Sequence, residues 1–159
     1  MKNLKDIIIE KLIINKNTKI DKYHYHPKTN KELIQTVYRL INKRGYTADL
    51  NDIDTSEITD MSAVFSDNDV NKSFDGDISE WDVSNVTNMR EMFLGSKFTG
   101  ENGDVSNWDV RNVENMFQMF AYSHFNGDIS KWDVSNVKNM KYMFHGGELE
   151  DNPPKWYKK

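Results

Sequence analysis

Apolar residues recur in one fixed order along most of the chain, with polar residues between them. A nine-residue pattern ending in Met occurs at Ile53–Met61, Trp81–Met89, Trp108–Met116 and Trp132–Met140. Each copy continues into a further apolar pair, such as Met92 and Phe93. The copies start 28, 27 and 24 residues apart, so the chain consists largely of one repeat with insertions at two points.

The spacing within one repeat predicts short secondary-structure elements. Val83–Met89 has an apolar residue at every third position, which favours a short extended segment bounded by turns. Met89, Met92 and Phe93 have the i, i+3, i+4 spacing of one or two helical turns. Because a single unit is too small to bury its apolar side chains, the units must stack. The sequence therefore predicts an α/β repeat solenoid of about four coils of 24–28 residues, with short strands and short helices.

The residues before the repeats are predicted to form an α+β cap on the first coil. Thr29 and Glu32 match a helix-capping box, and Gly45 is a plausible helix stop. The apolar stripe between them consists of Leu33, Val37, Leu40 and Ile41. We therefore expect a helix over residues 30–44. Upstream, residues 4–12 fit a short helix and residues 12–25 fit a hairpin, and the Ile-rich composition does not decide between these structures.

Three segments follow from these patterns: a cap over residues 1–49, a repeat array over residues 50–146 and a capping tail over residues 147–159. The pair Pro153 and Pro154 prevents the tail from continuing the pattern, because proline lacks an N–H group and fixes φ. We expect Trp156 and Tyr157 to fold over the last coil. With both ends covered, a monomer is predicted.

Side chains that recur at one repeat position form columns, and each column has a structural and a functional interpretation. The Met and Trp columns could be binding faces, but their regular spacing favours a core and a structural corner. The Asp columns could bind Ca²⁺, but turn formation is favoured because the glycine-rich nonapeptide of calcium-binding repeats is absent. His24 and His26 alone do not complete a metal site. We therefore predict no metal and no cofactor.

The repeat unit resembles that of a known family. The unit reads FNGDISxWDVSNVxNMxxMF and is similar to the BspA-type leucine-rich repeat of bacterial surface and phage-associated proteins, a mycoplasma-type domain of unknown function. The resemblance covers about residues 50–146. It implies a right-handed, leucine-rich-repeat-like solenoid that binds protein, and it implies no catalysis.

Composition and charge narrow the choice of partner. The 159 residues include no Cys, which excludes disulfides and thiol catalysis, and no apolar run has the roughly 18 residues of a membrane span. With no export signal, a cytoplasmic location away from membranes is predicted. Residues 1–50 carry 11 basic and 5 acidic side chains, whereas residues 51–150 carry 7 and 19. The acidic repeats are expected to repel nucleic acid and to favour a protein with a basic surface.

No catalytic motif occurs in the sequence, so we predict that the chain is not an enzyme and has no catalytic residues. The predicted function is a protein-binding repeat module. Positions at which the repeats differ are expected to select the partner: Arg90, Arg111, Glu114, Gln118, Lys138 and Lys141. Two alternatives are a phage or mobile-element encoded inhibitor of a bacterial defence or nucleic-acid-handling protein, and a bacterial surface adhesin.

Overall fold

A single long helix precedes the repeats in the computed structural model, which describes residues 22–158. This helix, α1, spans Asn30–Arg44. Thr29 Oγ1 accepts a hydrogen bond from the N–H of Glu32 at 3.2 Å, and Gly45 ends the helix at a φ of 94°. The predicted apolar stripe is buried. The helix prediction is therefore confirmed. The helix predicted further upstream and most of the predicted hairpin lie outside the described residues, and Tyr25 at the end of that hairpin bridges in parallel to Ile53.

A second, shorter helix occupies the insertion between the first two repeats. It is α2, Asp69–Lys72, and it packs against α1. Asn68 begins it by accepting a hydrogen bond from the N–H of Asn71 at 2.9 Å. Residues 22–158 contain no other α-helix, and neither of these two is long and apolar enough to cross a membrane.

The predicted α/β repeat solenoid is wrong, because the described part of the chain contains no β-strand. Successive repeats are joined instead by isolated parallel β-bridges. The bridges connect Tyr25 with Ile53, Asp49 with Asp77, Asp60 with Asn88, Asn88 with Asn115, and Asn115 with Asn139. A strand needs several consecutive extended residues, and this chain turns too often to provide them. Over residues 22–158 the observed architecture is a stack of irregular turns, with two helices before its second repeat.

Asp and Asn side chains form these frequent turns. Asp77 and Asp82 each accept a hydrogen bond from the N–H two residues on, at 2.9 and 3.0 Å, and Asn88 does so at 3.1 Å. The same Asx-turns occur at Asp49, Asp54, Asp60, Asp104, Asp109, Asn115, Asp128, Asp133 and Asn139. Each repeat therefore changes direction at three Asx-turns, as favoured for the Asp columns from the sequence.

The short helices predicted at Met89, Met92 and Phe93 and at the equivalent positions are absent. Met92 donates its N–H to the Met89 carbonyl at 3.2 Å, and this turn places Glu91 at a φ of 56°. The equivalent left-handed residues are Ala63, Gln118 and Tyr142. A helix cannot accommodate a left-handed residue. The turn nevertheless brings the same apolar residues onto one side, which explains why their spacing resembled that of a helix.

Two columns of Phe rings form the centre of the core. Phe65, Phe93, Phe120 and Phe144 stack with centroids 5.1, 5.3 and 6.0 Å apart and with nearly parallel planes. The second column contains Phe74, Phe98 and Phe125. All seven rings are at most 2% exposed. Equal positions in successive repeats thus pack on one another, which is how a short repeat obtains a continuous core.

The Met column is core and the Trp column is structural, as predicted. Met89, Met92, Met116, Met119 and Met143 are fully buried, and Met140 is partly exposed. Each Trp donates its indole N–H to a carbonyl of the preceding repeat. These bonds join Trp81 to Leu50, Trp108 to Ile78 and Trp132 to Val105, at 3.0, 3.3 and 3.1 Å.

Candidate functional site

Main-chain hydrogen bonds between successive repeats run in one direction through one segment of each repeat. In the first repeat the N–H groups of Met61, Ala63 and Phe65 donate to carbonyls of the second repeat at 2.8, 3.0 and 2.9 Å. The equivalent donors in the next two repeats are Met89, Glu91, Phe93, Met116, Gln118 and Phe120. We call this set of bonds the main-chain ladder. Because its direction is constant, its first repeat has unpaired carbonyls and its last repeat has unpaired N–H groups.

Side-chain amides pair the carbonyls at the first repeat. Asn30, at the start of α1, donates its Nδ2 to the carbonyls of Ser62 and Asp60 at 2.8 and 3.3 Å. Asn71 in α2 donates its Nδ2 to the carbonyl of Val64 at 2.8 Å. These carbonyls occupy the positions that accept ladder bonds in the later repeats. The beginning of the main-chain ladder is therefore closed.

The last repeat has no such closure. The N–H groups of Met140, Tyr142 and Phe144 are the next donors of the main-chain ladder, and no acceptor meets them among residues 22–158. We call these three N–H groups the open edge. Unpaired donors at an edge of this kind are a template for pairing with another segment of chain.

Apolar side chains beside the open edge are also incompletely covered. Val134, Val137 and Met140 are partly exposed, whereas Val83, Val86 and Met89 at the same positions of the second repeat are at most 1% exposed. In the earlier repeats the following repeat covers these positions. The last repeat thus presents both unpaired N–H groups and apolar surface to the same side.

A groove of about 580 Å³ runs along the open edge. Its lining includes Lys138, Met140, Lys141, Tyr142, Tyr157 and Lys158. Glu150 is the single acidic residue in this lining, so the rim is basic although the repeats as a whole are acidic. We call this feature the edge groove.

The tail forms the far wall of the edge groove. Trp156 donates its indole N–H to the Ile129 carbonyl at 3.0 Å, and Tyr157 packs edge-on against Phe144 at a centroid distance of 5.0 Å. The prediction that both aromatic residues fold over the last coil is confirmed. Burial against the last repeat raises the pKa of the Tyr157 hydroxyl. The tail therefore covers the Phe core, including Phe144, which is 2% exposed, and leaves Met140 and Tyr142 of the open edge at least partly exposed.

A carboxylate takes the place of a ladder carbonyl at the far end of the groove. In the third repeat the N–H of Tyr122 donates to the His145 carbonyl at 2.8 Å, and Gly146 is the equivalent residue of the last repeat. The Gly146 N–H donates to Glu150 Oε2 at 2.9 Å, and Glu150 Oε1 lies 3.0 Å from His145 Nδ1. An acidic side chain thus satisfies one main-chain donor next to the open edge.

Exposed aromatic rings extend the groove towards the preceding repeat. Tyr122 and Tyr142 are 56% and 58% exposed, and the ring of His145 contacts both edge-on. Tyr142 also contacts Phe117, over which the Arg90 guanidinium lies at 5.1 Å. Aromatic and Arg side chains of this kind contribute strongly to protein interfaces.

The structure separates the six predicted partner-selecting residues into three groups. Lys138 and Lys141 line the edge groove, and Glu114 lies 2.8 Å from Lys138. Arg90 and Gln118 belong to the ladder segments of the preceding repeats. Arg111 is at a different turn, where its guanidinium lowers the pKa of Asp109 to about 2. Sequence reasoning missed the open edge, and the 24-residue interval from Trp132 to Trp156 was the available signal that the tail keeps the repeat register.

The basic segment before α1 lies against the acidic first repeat. His24 and His26 place Nδ1 3.2 Å from the carboxylates of Asp52 and Asp54. Lys28 pairs with Glu57, and Lys22 pairs with Glu80 in the second repeat. Part of the acidic charge is therefore neutralised within the chain. Among the residues that the structure describes, no three His, Asp or Glu side chains converge as a set of metal ligands would.

Comparison with models of protein families yields a match over most of the chain. The sequence model of a family described as Mycoplasma protein of unknown function, DUF285, matches residues 33–156. The match begins inside α1 and ends at Trp156, so it includes the repeats and the tail. No curated protein and no solved structure matches the chain.

Proposed function

The chain belongs to the family described as Mycoplasma protein of unknown function, DUF285, and for this member we propose a non-enzymatic protein-binding function located at the edge groove. The partner contributes a segment of main chain that continues the main-chain ladder. Its carbonyls accept hydrogen bonds from the N–H groups of Met140 and Tyr142, the two open-edge residues that the tail leaves accessible. This mode of binding is strand-like addition to an exposed edge.

The open edge is the observation that carries this proposal. The same donors are paired in every earlier repeat, at 2.7–3.1 Å, and unpaired only in the last one among the residues described. A main-chain donor at an edge open to solvent is hydrated, so an acceptor that replaces the water gains about 0.5–1.5 kcal/mol for each hydrogen bond. The partly exposed Val134, Val137 and Met140 add apolar area to the same contact.

The relationship to BspA-type proteins and the protein-binding role, both expected from the sequence, are part of this proposal. The repeat unit supports a relationship to BspA-type proteins, and a protein-binding role is consistent with it. The cytoplasmic location, the inhibitor and adhesin alternatives, and a basic partner for the acidic columns stay predictions, because no contact in the described residues favours one of them.

An extended chain tests the location of the site. Lys159 follows Ser135 by 24 residues in the sequence, so a copy of residues 136–147 added after Lys159 supplies the segment that would pair with the open edge. Both the natural chain and this extended chain are used as baits in extract of the source cells. A protein retained by the natural chain and lost from the extended chain supports the proposal.

The control has an extension of equal length in which the Met and Phe positions are Ser. This control cannot cover the apolar surface, and it is expected to retain the same protein as the natural chain. A partner that the fully matched extension also retains binds elsewhere, and this result contradicts the proposed site.

A further inference from the structure

We infer that the edge groove selects an acidic segment, in parallel orientation, with carboxylates opposite Lys138 and Lys141; this selectivity presupposes the proposed function. The lining contains three Lys residues and one acidic residue, and that acidic residue, Glu150, is already engaged with His145 and Gly146. Lys138 is paired with Glu114, which lies outside the lining, so Lys141 and Lys158 carry the uncommitted positive charge of the groove. An incoming carboxylate is attracted to it, and an incoming ammonium group is repelled.

One acidic residue of the chain already accepts a main-chain hydrogen bond beside the open edge. Glu150 reaches the Gly146 N–H at 2.9 Å, where a following repeat would supply a carbonyl. A charged acceptor makes a stronger hydrogen bond to a main-chain N–H than a neutral one does. Carboxylates are thus compatible with the geometry of this end of the ladder.

A second acidic residue indicates where the partner's carboxylate lies. Glu114 and Lys138 occupy the same position in adjacent repeats, and their charged groups are 2.8 Å apart. A segment that continues the ladder places its own equivalent residue on the other side of Lys138, at the same one-repeat separation. An acidic residue there pairs with Lys138 as Glu114 does.

The orientation and the shape of the segment follow from the repeats. Every isolated bridge between repeats is parallel. The three open-edge donors are alternate residues. The middle one, Tyr142, has a φ of 58°. The partner segment must follow this bend, which Gly and Asn accommodate at the lowest cost.

A second copy of the chain is a poor occupant. The complementary carbonyls at the first repeat, those of Asp60, Ser62 and Val64, are already paired by Asn30 and Asn71. The N-terminal helices would have to move before another molecule could stack there. A different protein with an acidic segment is therefore the occupant to which the charge and the hydrogen bonding point.

Two labelled peptides test the inference with the full chain by fluorescence anisotropy. One is NVKNMKYMFHGG, the sequence of residues 136–147, and the other is NVENMEYMFHGG, in which Glu replaces both Lys residues. The acidic peptide is expected to bind about tenfold more tightly at low salt, since two repulsive pairs become attractive. The difference is expected to shrink at about 0.5 M salt.

Charge reversal in the protein supplies the matched control. The double substitution Lys138→Glu and Lys141→Glu is expected to invert the peptide preference. The double substitution Lys97→Glu and Lys131→Glu changes the same charge at exposed positions outside the edge groove, and it is expected to preserve the preference. Amide exchange of Met140 and Tyr142 should slow when the acidic peptide binds.

The outcomes distinguish the inference from the proposed function. Equal affinity for both peptides, with protection of the open edge, overturns the acidic selectivity and leaves the proposed binding site in place. Binding of neither peptide contradicts the proposed function itself. A concentration-dependent dimer of the chain that blocks both peptides also overturns the inference, because a second copy is then the occupant.

Discussion

Trp156 donates its indole N–H to the Ile129 carbonyl at 3.0 Å, in the same way as Trp132 donates to Val105 at 3.1 Å. The two Trp residues are 24 residues apart, which is also the interval between Trp108 and Trp132. The tail therefore keeps the register of the repeat although its prolines and lysines do not match the repeat sequence. It closes the Phe core at this end by covering Phe144, and it leaves Met140 and Tyr142 of the open edge at least partly exposed.

Replacement of Trp156 by Phe is expected to destabilise the chain by about 1–3 kcal/mol. The substitution removes the donor to the Ile129 carbonyl and reduces the cover over Phe144. Urea denaturation monitored by circular dichroism measures the change. Tyr38→Phe, at a residue that is 44% exposed, is the control and should shift stability by less than about 0.5 kcal/mol. Equal stability of both variants would mean that the tail does not contribute to the fold.

The sequence predicted those features that depend on periodicity and on local capping. The helix at Asn30–Arg44 followed from Thr29, Glu32 and Gly45, because helix capping involves only neighbouring residues. The buried columns of Phe, Met and Trp followed from the repeat, because a repeat with constant register places equal residues on one another.

The features that the sequence did not predict depend on main-chain conformation. The spacing of Met89, Met92 and Phe93 fits both a helix and a turn, and the left-handed conformation of Glu91 has no signature when the residue is not Gly. The open edge depends on the direction of hydrogen bonds between repeats, which apolar spacing does not encode. Because the sequence analysis did not predict the open edge, only two of its six predicted site residues, Lys138 and Lys141, line the edge groove.

Replacement of Asn71 by Ala is expected to cost about 1–3 kcal/mol of stability. Asn71 is fully buried, and its Nδ2 is the donor to the Val64 carbonyl at the first repeat. Loss of the amide leaves that carbonyl unpaired and opens a cavity between α2 and the first repeat. Asn42→Ala, at an exposed position of α1, is the matched control. Thermal unfolding of both variants measures the difference, and equal melting temperatures would contradict the closure of the first repeat.

Asp54 is expected to contribute to a loss of stability in acid. The Ser56 hydroxyl and main-chain N–H, together with His26, lower the pKa of the Asp54 carboxyl below its ordinary value of 3.8. A lowered pKa in the folded state means that the contribution is present above about pH 4 and is lost as the pH falls through the folded pKa. Asn forms the same turn at position 88, so Asp54→Asn removes the titration and keeps the turn.

The melting temperature of each protein at about pH 6 and pH 2.5 provides the measurement. The decrease on acidification should be about 2–4 °C smaller for Asp54→Asn than for the natural chain. Asp67→Asn is the control, since Asp67 is exposed and forms no Asx-turn. If Asp54→Asn and the natural chain lose equal stability in acid, the Asp54 turn does not contribute to the pH dependence.

Replacement of Gln118 by Gly is expected to stabilise the chain by about 0.5–1 kcal/mol. Gln118 has a φ of 52°, which costs a residue with a Cβ roughly 1–2 kcal/mol and costs Gly almost nothing. Its N–H donates to the Lys141 carbonyl at 3.1 Å, and Gly keeps this bond. The lost side chain is only partly buried, so little packing is removed.

The same Gln→Gly substitution in α1 is expected to change stability in the opposite direction. Gln35 is exposed within the helix Asn30–Arg44, where Gly in place of Gln is expected to cost about 0.5–1 kcal/mol. Denaturant unfolding of the two Gln→Gly variants therefore compares identical chemical changes in two backbone conformations. Destabilisation by Gln118→Gly equal to that by Gln35→Gly would indicate that the ladder segment is helical, and it would contradict the turn on which the open edge depends.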